Sequence, residues 1–160
     1  MRRGNRTHRL LVSAYLIRDN RFLLLHRQTP PRIWAPPGGH LEKDEGPESG
    51  LAREVREETG LEIEVLAPAN TWFGDLGRGP CLSLDYVCLG RPGKVRLSAE
   101  HDDFCWSALE QLENGQPPLG KGPLCYTIDH FRWAAQVFKA QGQSLGQSLG
   151  QSLDETRFRR

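Results

Sequence analysis

Arg53-Glu54-Val55-Arg56-Glu57-Glu58-Thr59-Gly60-Leu61 decides how this chain is read. On a helix, Glu54, Glu57 and Glu58 stand at i, i+3 and i+4, so their carboxylates share one face within one turn. Like charges so placed repel by roughly 0.2–0.5 kcal/mol per pair. Arg53, four residues before Glu57, offsets part of that. A bound divalent cation offsets more, because hard cations take oxygen ligands and bridge to phosphate oxygens. Leu51 and Val55 lie on another face and can anchor the helix to a core. Glutamate-rich helix faces are usually solvated surface, so the flanking sequence must decide.

Pro47 just inside the start and Gly60 just past the end bound a helix over Pro47–Thr59. Upstream stand Pro36-Pro37-Gly38-Gly39, then Glu45 and Gly46. Paired glycines let backbone carbonyls and amides approach a metal or a phosphate.

The order of these residues resembles the Nudix (MutT-like) hydrolase family, whose signature is G-x5-E-x7-R-E-U-x-E-E-x-G-U, with U aliphatic. Gly39, Glu45, Arg53, Glu54, Val55, Glu57, Glu58, Gly60 and Leu61 fill every specified position, and Trp34-Ala35-Pro36-Pro37-Gly38-Gly39 is similar to the family's lead-in. The resemblance implies an α/β fold, an α/β/α sandwich with a mixed central sheet. It implies hydrolysis of a nucleoside diphosphate linked to another moiety, with Mg2+ or Mn2+. By motif position, Glu54, Glu57, Glu58 and the Gly39 carbonyl would hold metal, and Glu45 with Arg53 would tie loop to helix. The general base stays open between Glu57, Glu58 and the later acids Glu100, Asp102 and Asp103. Arg27, at the end of a strand, matches an arginine that lies near the phosphates in many relatives. Trp34, Trp72 and Phe73 could stack on a base, although core packing is the plainer expectation for each.

Around this centre the chain alternates. Leu10–Ile17 and Phe22–Arg27 read as strands joined by an Asp19-Asn20 turn. Residues 28–35 read as a loop. Leu61–Phe73 and Leu82–Leu89 read as strands around a glycine-rich loop, 74–79. Asp103–Ser107 reads as a short strand and Ala108–Leu112 as a short helix. Thr127–Ala140 reads as an amphipathic helix with Ile128, Phe131, Ala134, Ala135 and Phe138 at helical spacing. Three domain-level segments are expected: a basic arm over 1–9, the catalytic domain over 10–140, and a flexible tail over 141–160 built on a repeated Gly-Gln-Ser-Leu.

Composition narrows the function. With 21 basic and 20 acidic residues the net charge is +1, which disfavours binding nucleic acid by bulk charge and leaves small phosphorylated ligands open. No apolar run approaches the roughly 18 residues of a membrane helix, and no signal-peptide pattern stands out, so a cytoplasmic monomer or homodimer without membrane contact is expected. Cysteines 81, 88, 105 and 125 form no C-x-x-C pair and read as reduced core residues.

Substrate markers are missing. Leu76 stands fifteen residues past Leu61, where ADP-ribose enzymes of the family often carry proline, and Gly77 replaces the tyrosine of diadenosine polyphosphate hydrolases. The sequence supports a nucleoside triphosphate or a nucleotide sugar as substrate. The alternatives are an RNA 5′-end pyrophosphohydrolase and a non-catalytic nucleotide sensor.

Overall fold

Strand β1, Arg9–Arg18, sets the layers. Side chains of a strand alternate between faces. Val12, Ala14 and Leu16 enter one core with Leu51 and Val55, while Tyr15 and Ile17 enter another with Phe22, Phe131 and Ala134. Both faces of the sheet are therefore covered by helices, and the expected α/β/α sandwich is the fold. This computed structural model describes residues 7–75, 78–122 and 125–157, with backbone alone from 143 onward.

β1 turns through Asp19 and Asn20 into β2, Arg21–Arg27. Both turn residues have positive φ, 52° and 56°, the geometry of a tight hairpin whose twist matches the strands. The two strands pair only at Ile17–Phe22 and Arg18–Arg21. Beyond that, two short strands, β3 (Trp34–Ala35) and β4 (Gly38–His40), fill the gap. β3 pairs with β2 and β4 pairs with β1. The segment expected as a loop over 28–35 thus ends in a strand, because Ala35 and Trp34 find partners in Leu25 and His26.

Helix α1 spans Pro47–Thr59, as its flanking residues imply. Gly60 closes it at φ 70°, a left-handed conformation that glycine adopts without a Cβ clash, and donates to the Arg56 carbonyl. Strands β5 (Ile63–Asp75) and β6 (Pro80–Gly90) form an antiparallel pair, and β6 runs parallel to β1. β7, His101–Ser107, adds to the other edge of β2. The sheet is mixed, ordered β3-β2-β1-β6-β5 with β4 on β1 and β7 on β2.

Helix α2, Leu109–Glu113, places Leu112 in the second core. Helix α3 spans Ile128–Arg157. Strand begins at Arg9, the last residue of the segment read as a basic arm, and residues 1–6 lie outside the described residues. Helix α3 runs through the segment read as a tail from 141, as far as Arg157. Gln, Leu and Ser are compatible with a helix, and each glycine costs only about 1 kcal/mol against alanine. Among the described residues no helix is long and apolar enough to cross a membrane. All four cysteines are free, with Cys81, Cys88 and Cys125 buried.

Candidate active site

Arg53 organises the site. Its Nε and Nη2 donate to the two oxygens of Glu45, both at 2.9 Å. Nη1 donates to Glu54 at 2.9 Å and to Glu57 at 3.3 Å, and Nη2 also reaches the His40 carbonyl at 3.0 Å. One guanidinium thus ties together the loop before α1, strand β4 and two carboxylates of α1. The fork geometry suits arginine alone. These bonds pull Glu45 from its ordinary 4.5 down to about 2.

The two glycines of β4 answer a close approach. A Cβ on Gly39 would stand 2.3 Å from Glu54 Oε2, and one on Gly38 would stand 2.1 Å from the Val12 carbonyl. Any larger residue would push the strand off the helix or off β1. Gly38 N–H donates to Glu58 Oε2 at 2.9 Å.

Glu58 is 6% exposed. Burial raises its pKa to about 8; the charges of Glu54 and Glu100 push the same way, while Gly38 and Arg27 oppose. Burial also raises Glu54, against the pull of Arg53. Glu57, at 60% side-chain exposure, faces solvent. Glu100 is exposed in the segment leading into β7, and its charge is felt by both Glu54 and Glu58. Arg27 ends β2 opposite His101 and lines a cleft of about 100 Å3 with Gly38, Gly39, Ser13, Trp72 and Tyr126.

Asp102 sits apart from this group. His26 Nδ1 meets its Oδ1 at 2.5 Å and Arg32 donates to its Oδ2 at 3.3 Å. The bond with His26 is the main reason its pKa falls below the ordinary range. This one of the candidate bases is therefore already engaged, with His26 as its main partner.

His101 was missed. Its Nε2 lies 3.8 Å from Glu58 Oε1, and its Nδ1 is buried without a hydrogen bond. Burial lowers its pKa, against the pull of Glu100. The run Glu100-His101-Asp102-Asp103 holds the only sequence hint of it. Of the three aromatic candidates, Trp34 packs against the second core, Trp72 lines the small cleft, and Phe73 is 65% exposed, contrary to the core expectation. Phe73 lies near the end of β5, with the His8 ring 5.7 Å away. Leu76 and Gly77 lie outside the described residues.

The donor set suits a hard cation. Glu54, Glu57, Glu58 and the Gly39 carbonyl offer oxygen only, and Glu58 is a buried carboxylate among like charges. Among the described residues no three acidic, histidine or cysteine side chains already converge as a cage. Arg53 instead engages Glu54 and Glu57.

Residues 7–124 match the model of the NUDIX domain. The chain belongs to the Nudix family. It is 36% identical over 105 residues to a MutT-like protein of Streptomyces ambofaciens, covering 66% of this chain and 67% of that one. It is 34% identical over 106 residues to an asymmetrical bis(5′-nucleosyl)-tetraphosphatase of Caenorhabditis elegans, covering 63% of this chain and 77% of the relative. Among solved structures, a MutT protein of Methanosarcina mazei Go1 superposes with a TM-score of 0.68 at 27% identity, covering 84% of this chain and 97% of the other. As a Nudix hydrolase this chain is a pyrophosphohydrolase acting on nucleotide derivatives. Nudix hydrolases generally need a divalent metal.

Proposed function

We propose that this Nudix hydrolase uses Mg2+, with Mn2+ as a substitute, to cleave a phosphoanhydride bond in a nucleoside triphosphate or a nucleotide sugar. Buried Glu58 carries the reading: desolvation and the charges of Glu54 and Glu100 leave a group that a cation would relieve. Glu54, Glu57, Glu58 and the Gly39 carbonyl would hold the ion. When bound, the metal supplies neutralisation of charge on the non-bridging phosphate oxygens.

The remaining steps belong to the chain's own residues. Arg27, on the wall of the cleft beside Gly38 and Gly39, binds a phosphate oxygen pair. Trp72 and Tyr126, on the same wall, take the ring of the nucleoside. Glu100 takes a proton from the attacking water as its oxygen bonds to phosphorus and the anhydride P–O bond breaks. Exposed Glu100 serves better than Asp102, whose oxygens are held by His26 and Arg32. Product analysis on a panel with Mg2+ tests the reading. Nucleoside triphosphates, nucleotide sugars, dinucleoside polyphosphates and 5′-triphosphorylated RNA would be compared. A nucleoside monophosphate released from one of the first two is the expected result. Turnover of the RNA alone, or of nothing, would overturn it.

A further inference from the structure

A second cavity, about 920 Å3, opens where β1 begins. Its size falls within the roughly 300–1,000 Å3 of small-molecule sites. Arg9 stands on its wall with Arg78 and His40. Among the described residues the Arg9 guanidinium meets a histidine ring, a carbonyl and a thiol. Nη1 meets His40 Nε2 at 3.1 Å, and Nη2 donates to the Gly79 carbonyl at 3.4 Å and to Cys81 Sγ at 3.1 Å. Its Nε is buried and makes no hydrogen bond. Among the described residues no carboxylate pairs with it.

Acids also line this cavity, but cations other than Arg9 already answer them. Arg53 holds Glu45 at 2.9 Å and comes within 4.0 Å of Glu42, and Lys43 lies 3.6 Å from Asp44. A half-buried arginine with no acid beside it, on the wall of an open cavity, can take an external anion.

The cavity also lies beside the site along β1 and β4. β1 and β4 pair Leu11 with His40, Val12 with Gly39 and Ser13 with Gly38. Ser13 lines the small cleft and Arg9 the large cavity, so the two flank Gly39 along one strand. Four residues of strand span about 13 Å. A ligand laid along β1, on the face that Ser13, Leu11 and Arg9 share, passes from the small cleft to the Arg9 cavity.

We propose that the Arg9 cavity is a subsite for the distal phosphates of a nucleoside polyphosphate, the anionic end beyond the bond that is cleaved. This rests on the nucleotide reading given above. Arg9 draws a phosphate by its charge and Arg78 adds a second cation at the mouth. Substrates whose far end is an uncharged sugar gain nothing from the cavity.

The first test needs neither metal nor turnover. Inorganic tripolyphosphate is titrated calorimetrically into the full-length protein in metal-free buffer. Arg9→Gln should weaken binding about tenfold, as loss of a charge-assisted hydrogen bond implies, and Arg9→Lys should stay within about threefold. Should Arg9→Gln fail to fold by circular dichroism, exposed Arg78→Gln carries the test, with binding about threefold weaker. With Mg2+, KM for a nucleoside tetraphosphate should rise about tenfold in Arg9→Gln at unchanged kcat, while KM for a nucleotide sugar stays put. Tripolyphosphate that fails to bind, or binds the wild type and Arg9→Gln alike, overturns the subsite. Arg9-dependent binding by a protein that turns over no nucleotide would sink the catalytic reading and leave the subsite standing.

Discussion

Gly38 donates its backbone N–H to the carboxylate of Glu58 across 2.9 Å, fixing the strand that enters the site against the last turn of α1. The amide serves an oxygen that burial makes costly to ionise. The contact therefore holds geometry and tempers a penalty that a proton or a bound cation removes.

Glu58→Gln is expected to keep the fold, because a carboxamide oxygen still accepts from Gly38. Turnover should fall at least about a hundredfold at saturating Mg2+. The metal-free proteins should differ with pH. With its folded pKa raised from 4.5 to about 8, Glu58 makes wild-type stability decline as pH rises through that interval. The variant should lack this decline and melt several degrees higher at pH 8. Calorimetric scans from pH 5 to pH 9 check both. Equal slopes would show that Glu58 ionises freely.

Arg53→Lys should behave unlike a conservative change. A lysine cannot reach both Glu45 oxygens, the His40 carbonyl and Glu54 together, so Gly39 and Glu54 lose their mutual placement. Activity should drop at least about tenfold, with a lower melting temperature. Glu45 gives a separate check. Its pKa lies below that of a free carboxylate, so its pairing stabilises the fold above about pH 4.5 and the gain vanishes as pH falls toward 2. The difference in urea midpoint between the wild type and Glu45→Gln should therefore narrow across that window. A constant difference would dissociate Glu45 from the effect.

Much of this was legible in the chain because the punctuation is local. Pro47 and Gly60 bracket α1 at its observed ends, and the alternation within Leu10–Ile17 separates the two cores. What escaped is long-range. β4 is three residues, two of them glycine, and becomes a strand only because Leu11–Ser13 lie beside it. Nothing in spacing shows that His26 meets Asp102, since the contact is made by registry between β2 and β7. Arg53 and Glu45 are eight residues apart and were tied only through the family resemblance; the helix start between them makes the pair geometrically possible.

Removing residues 143–160 should leave the domain working. The side chains of α3 that enter the second core run from Ile128 to Phe138, all before the cut. Melting temperature should move by less than about 2 °C and kcat should not change. A larger shift would mean that the repeat contributes to the domain, and the boundary proposed at 140 would have to move.

Asp85 offers the last prediction. It is 1% exposed, accepts from Ser83 at 2.6 Å and from Tyr15 at 3.4 Å, and lies behind the small cleft that Ser83 lines. Burial is the chief cause of its raised pKa, about 6 against an ordinary 3.8, and the two hydroxyls only partly oppose it. The folded protein therefore holds a proton there that the unfolded chain gives up. Stability from this group is full below about pH 3.8 and lost as pH climbs through 6. Asp85→Asn should remove that loss, because an amide keeps an acceptor for Ser83 and carries no charge to bury. At pH 7.5 the variant should be more stable by on the order of 2 kcal/mol, and at pH 4 about equal to the wild type. Urea denaturation at the two pH values decides it. A variant less stable at pH 7.5 would show that the ionised carboxylate, with both hydroxyls donating to it, is the favoured native form.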